Sequence, residues 1–134
     1  MALRASDVKV GDTHEAVIVD DLTRTQLVQY AGASGDYNPL HTDEVFAAKV
    51  AGYPSVFAHG MLTMAMTGRM VTDFVGDGRL TRFGVRFVSQ VWPGDTLTAE
   101  ITVDSVDGGI AELTVSTKNQ DGVEVFSGTA AARV

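Results

Sequence analysis

The stretch "SGDYNPLH", residues 34–41, puts an acid, an amide and an imidazole within a few positions of one another. Asp36 and His41 flank Asn38 and Pro39, and the proline biases Asn38 toward extended backbone, so no continuous helix runs through the segment. A turn there can bring both side chains to one side. A carboxylate and an imidazole facing one small volume can hold a water between them and pass protons near neutral pH, as general acid–base chemistry requires. Asn38 can hold that geometry through its amide. The same residue types also make ordinary turns, and His41 could simply open a helix and satisfy a backbone group. Taken by themselves, the residues favour the plain turn.

A second group, "FAHGML", places Gly60 at the start of an apolar helical run. The first N–H groups of a helix have no partner and carry its positive dipole end, so they stabilise a carbonyl oxygen that becomes an oxyanion or enolate. Glycine lets a ligand approach that backbone closely; it equally permits close packing of helix on sheet. His59 reads as a core histidine. His14 falls on a strand pattern without an acidic partner in register. A two-histidine, one-carboxylate metal site of Asp36, His41 and His59 has no tight ligand spacing behind it. Neither a G-x-S-x-G elbow, a phosphate loop nor a dinucleotide glycine pattern occurs, so no cofactor is expected.

These residues need elements to hold them. "LTRTQLVQYAGASG" predicts a helix capped by Thr23 and ended by glycine, after a strand over 14–19. A short helix follows, with Thr42 as cap, Asp43 and Glu44 in the first turn and Gly52 as the stop. The third, over 60–75, has first turns that are apolar all round, which predicts a buried start. Beyond it, alternation of Phe83, Val85 and Phe87, of Leu97, Ala99, Ile101 and Val103, and of Ala111, Leu113 and Val115 predicts half-buried strands, with a last one over 123–134. "WPGD" suits a type II turn, and "DGG" and "QDG" mark the other joints, so four sequential antiparallel strands are expected. A curved sheet around a buried helix, an α+β arrangement, fits this order.

Composition bounds the function. With 134 residues and no linker-like stretch, the chain reads as one domain over 1–134, small enough for association to add useful burial. Seventeen acidic against ten basic residues, a formal charge of −7, oppose binding to nucleic acid or anionic lipid. The absence of cysteine excludes disulfides and thiolate chemistry. No signal-peptide core opens the chain, and His59, Arg69 and Asp73 interrupt its most apolar segment, so a cytoplasmic, membrane-free protein is expected.

The whole run "YAGASGDYNPLHTDEVFAAKVAGYPSVFAHGML", with "VKVGD" before it and "FVGD" after it, resembles the signature of the MaoC-like, (R)-specific enoyl-thioester hydratases, or hydratase 2 enzymes. The resemblance implies a single hot-dog unit, a catalytic dyad of Asp36 and His41 supported by Asn38, and the Gly60 N–H as oxyanion donor. It implies hydration of trans-2-enoyl thioesters, or the reverse dehydration of (3R)-hydroxyacyl thioesters, carried on CoA or acyl carrier protein in fatty-acid metabolism. It also implies a dimer: a homodimer is the simpler form, and a heterodimer with a second hot-dog subunit occurs among the (3R)-hydroxyacyl-carrier-protein dehydratases it resembles. Two rivals share the fold: a non-catalytic thioester-binding or partner subunit, against which the intact pair argues, and a thioesterase. The latter would more often carry its acid on the central helix, where only Asp73, near the end, is available.

Overall fold

The computed structural model describes residues 7–134. Chain order is β1 (Thr13–Val19), α1 (Arg24–Ser34), a π-helical turn (Phe46–Val50), α2 (Gly60–Val75), β2 (Leu80–Phe87), β3 (Leu97–Asp107), β4 (Ile110–Lys118) and β5 (Glu124–Arg133). The strands form one antiparallel sheet in the order β1-β3-β4-β5-β2. Strands β3, β4 and β5 are joined as successive hairpins, as their turn residues predict. Gly108 and Gly109 both have positive φ between β3 and β4, the type I′ geometry whose twist matches the strands.

Strand β2 departs from the sequential expectation, because it pairs with β5 on the far side of the sheet and not with β3. The Trp92–Asp95 turn, with Pro93 and Gly94 at its corner, ends the crossing that this requires. Its Asp95 N–H donates to the Trp92 carbonyl at 3.0 Å, and Gly94 has φ +93°. Both edges of the sheet, β1 and β2, are therefore open among the described residues.

Register shifts in each ladder, between Val17 and Val19, Leu80 and Arg82, Val103 and Ser105, and Thr117 and Lys118, bend the sheet into a trough. Helix α2 lies in it, with Met70, Val71 and Val75 packed among Ala99, Ile101, Val103, Leu113, Val115 and Ala130. Its first half meets a second cluster of Leu22, Leu27, Val56, Leu97 and Phe126. Full burial of each large aliphatic side chain is worth about 1.5–3 kcal/mol, so this helix is anchored mainly by packing. The Thr67 and Thr117 hydroxyls, both buried, satisfy each other at 2.8 Å across the helix–sheet contact.

Two local expectations are corrected. Asp43, not Thr42, caps the turn after the motif, accepting from the Phe46 N–H at 3.1 Å. The turn it opens is π-helical, closed by Ala51 N–H to the Phe46 carbonyl. In α2 the start is not buried all round: Met61 is 56% exposed and shares an open stripe with Ala65, Arg69 and Asp73. The trough covers one side of the helix only. Among the described residues no helix is long and apolar enough to cross a membrane.

Strands β5 and β2 approach closely at Gly128, where a Cβ would stand 1.9 Å from the Gly84 carbonyl oxygen. Gly128→Ala should therefore lower stability by about 3 kcal/mol through overpacking against backbone that cannot yield. Gly32→Ala, in open space on α1, should raise it by up to about 1 kcal/mol. Urea midpoints of the two variants measure the contrast, and a wild-type midpoint for the first would refute the close approach.

Candidate active site

Helix α1 delivers the motif. Thr23 and Gln26 form a reciprocal capping box at its start, worth about 1 kcal/mol, and Gly35 ends it in the left-handed region at φ +76°. The backbone then folds through a ladder of short side-chain bonds. The Asp36 N–H donates to Ser34 Oγ at 3.2 Å and the Asn38 N–H to Asp36 Oδ1 at 3.2 Å. The Leu40 N–H donates to Asn38 Oδ1 at 3.0 Å, and the His41 N–H to the Asn38 carbonyl at 3.0 Å. Asn38 thus bends the chain back with both its side chain and its backbone, which brings His41 round toward Asp36.

The loop is then fastened to the strand-like segment that enters α2. The Phe57 N–H donates to the Leu40 carbonyl at 3.2 Å, and the Nδ1–H of His41 donates to the Phe57 carbonyl at 2.7 Å. A carbonyl can only accept, so this bond fixes the tautomer and leaves the Nε2 lone pair of neutral His41 free for a proton. Asp36 is exposed and His41 half-buried. Asp36, His41 and His59 each bring a ligand-type atom within 4.8 Å of the others. One water hydrogen-bonded to both a carboxylate oxygen and an imidazole nitrogen spans such a gap.

A metal ion is a poorer fit. The His41 and His59 rings are stacked, with centroids 3.9 Å apart and planes tilted by 24°. Lone pairs lie in the ring planes, and planes so nearly parallel do not meet within the roughly 2 Å length of a nitrogen–metal bond. The arrangement suits proton transfer better than ligation.

Gly60 opens α2 one residue beyond His59. The Leu62 N–H, to the His59 carbonyl, is the first helical donor, so the Gly60 and Met61 N–H groups remain unused at the positive end of a four-turn helix. A Cβ on Gly60 would press on the Phe87 ring at 3.1 Å. The close packing expected at this glycine is present, since the Phe87 ring stands where a Cβ would be.

The sequence matches the family described as MaoC like domain over residues 6–124. The chain belongs to that family. It is 34% identical over 116 residues to the 3-hydroxyacyl-thioester dehydratase Y of Mycobacterium tuberculosis, a match that takes in 84% of this chain and 39% of the relative. The chain thus spans about two fifths of that relative's length. Among solved structures, the (R)-hydratase from A. caviae involved in PHA biosynthesis superposes with a TM-score of 0.87 at 28% identity, over 97% of this chain and 99% of the other. The C-terminally truncated HadBC (3R-hydroxyacyl-ACP dehydratase) complex of Mycobacterium tuberculosis superposes with a TM-score of 0.72 over 93% and 96%; at 22% identity it speaks for the fold. The hot-dog arrangement expected from the sequence is therefore the fold found.

In this MaoC-like chain Gly60 and His41 line two different cavities, and Asp36 lines neither of them. A cavity of about 380 Å³ is lined by Gly60, Thr63, Phe57, Phe87 and Val88. His41 lines another, of about 340 Å³, with Arg24, Val28, Thr42, Glu44 and Val56. Arg24 pairs with Glu44 at its rim, and this bond, with the Val56 N–H, holds the Glu44 carboxyl below its ordinary range.

Sequence reasoning missed the part His59 plays. Its ring is 2% exposed, its Nε2–H donates to the Asp36 carbonyl at 3.1 Å, and Tyr30 meets it edge-on at 4.8 Å. Its Nδ1 is buried with no hydrogen-bond partner, an omission that costs about 1–3 kcal/mol. Burial, aided by the neighbouring His41, pushes its pKa below the ordinary 6.5, against the opposing pull of Asp36. The stability contributed by neutral His59 is thus complete above pH 6.5 and is lost as pH falls below that value through the lowered one. The urea midpoint of the wild type should drop from pH 7 to pH 5 more steeply than that of His59→Gln; equal slopes would show that His59 carries no such linkage.

Proposed function

We propose that this chain is the catalytic unit of an (R)-specific hydro-lyase that interconverts trans-2-enoyl and (3R)-hydroxyacyl thioesters of CoA or acyl carrier protein. The observation that carries the reading is the grouping of the His41 imidazole within a water's span of the Asp36 carboxylate, with the Nδ1 of His41 held by the Phe57 carbonyl and its ring stacked on His59, the residue before Gly60. The names of the relatives, a 3-hydroxyacyl-thioester dehydratase and an (R)-hydratase, support the substrate class.

In the hydration direction, water lies between Asp36 and His41. As its oxygen adds to C3, the dyad takes its proton, and the electron pair of the double bond moves to the thioester oxygen. The Gly60 N–H and the dipole of α2 hold the resulting enolate, and a proton delivered from the dyad to C2 completes the product. Elimination follows the same path backwards. Asn38 serves by holding Asp36 and His41 in one turn. Thioester hydrolysis is less well supported, since Asp73, the acid of α2, is exposed and stands about 20 Å along the helix from Gly60.

The proposed working form is a dimer of hot-dog units, either two copies of this chain or this chain with a second subunit. The open edge of β2, Met61 exposed at the start of α2 and Phe87, 45% exposed at the cavity wall, together offer a surface to a partner. The solved HadBC complex shows that subunits of this fold do pair. A cytoplasmic setting suits a chain without cysteine.

Purified protein mixed with a short trans-2-enoyl-CoA should consume the conjugated enoyl absorbance without releasing thiol. Asp36→Asn and His41→Gln should each lower turnover by about 100-fold or more while leaving the urea midpoint near that of the wild type. Thiol release would favour the thioesterase. No reaction with CoA or carrier-protein thioesters, with or without a co-expressed neighbouring hot-dog subunit, would overturn the proposal.

A further inference from the structure

We infer that His59 is a positioning residue for the dyad, a buried imidazole that fixes where Asp36 and His41 stand relative to each other by holding both. This rests on the hydro-lyase reading above. Asn38 joins the two members within their own turn, and His59 joins them from outside it: its Nε2–H donates to the Asp36 carbonyl, and its ring face lies on the ring of His41. The two contacts use different parts of the same imidazole, one an edge and the other a face.

A histidine placed only to fill the core would be expected to satisfy both nitrogens or to give way to an apolar side chain of similar size. Here one nitrogen is spent on the backbone of Asp36 and the other is left without a partner in a buried position. Asp36 has no side-chain or backbone tie to His41 of its own, so its distance from the imidazole depends on the local turn and on this bridge. The ring itself is held by Tyr30 from α1 on its edge and by the start of α2 through the backbone. Its surroundings also keep it uncharged. The titratable groups facing it are Asp36, His41 and Tyr30, and burial outweighs the attraction of Asp36. A neutral ring can support His41 while His41 holds the water's proton; a charged one would repel it.

His59→Phe keeps a ring for the stack and removes the donor, and His59→Gln keeps a donor and removes the ring. With a short trans-2-enoyl-CoA as substrate, each should lower kcat by about 10- to 100-fold and leave KM within about twofold, because misplacement of reacting groups falls on the chemical step. In an Asp36→Asn background the His59→Phe change should cost little more, since the pair it serves is already broken. The His41 Nδ1–H, held by Phe57, should also exchange with solvent faster in both variants. A kcat within twofold of wild type in either folded variant, or a loss that multiplies fully with Asp36→Asn, would overturn the inference. Should the Phe variant fail to fold, the Gln variant alone decides it. Full activity of Asp36→Asn would instead remove the hydro-lyase reading, whatever His59 does to the exchange of the His41 proton.

Discussion

The bond from His41 Nδ1–H to the Phe57 carbonyl joins the loop that leaves α1 to the segment that enters α2. Each side brings something the other lacks: the loop has the acid and the base, the segment has the helix terminus. Because the acceptor is a carbonyl, the same bond also selects the imidazole tautomer. Position and tautomer are therefore set together, by one contact between backbone and ring.

That contact depends on the connection between β2 and β3, which holds Phe57 in place. The Ala58 N–H donates to the Val91 carbonyl at 2.8 Å, tying the segment to the chain between β2 and β3, and Phe57 packs edge-on against Trp92. The crossing of that chain from β2 to the other side of the sheet, with its turn at Pro93 and Gly94, is thus part of the scaffold of the site. Curvature from the register shifts makes the trough, and the trough fixes the direction in which the amino end of α2 points.

Much of this was legible in the chain. Gly60 and Gly76 bracket α2 and the period-2 runs mark β3 and β4, because burial on one face writes itself into residue spacing. Pairing partners do not: alternation specifies which face of β2 is buried and says nothing of whether β3 or β5 lies beside it. Thr42 and Asp43 are both capping residues in sequence, and the choice between them was made by the Pro39 carbonyl, which accepts from both N–H groups and rolls the chain one residue further. Met61 reads as core because it is apolar, yet its exposure depends on what covers α2 from outside the trough. Asp36, Asn38 and His41 drew notice by type and proximity, but by themselves they read as a plain turn, and the dyad came from the family resemblance of the longer run. His59 did not stand out, since its significance lies in stacking on a residue distant in sequence, which no local pattern records.

The turns that shape residues 34–41 draw almost entirely on partners within five positions of each other. Contacts so local close on the timescale of elementary chain motions, whereas the pairing of β2 with β5 must wait for distant parts of the chain to meet. Residues 34–41 can therefore take their bend before the distant strands pair. The bend of residues 34–41 is thus a property of their own sequence, while its placement against Phe57 depends on the folded whole.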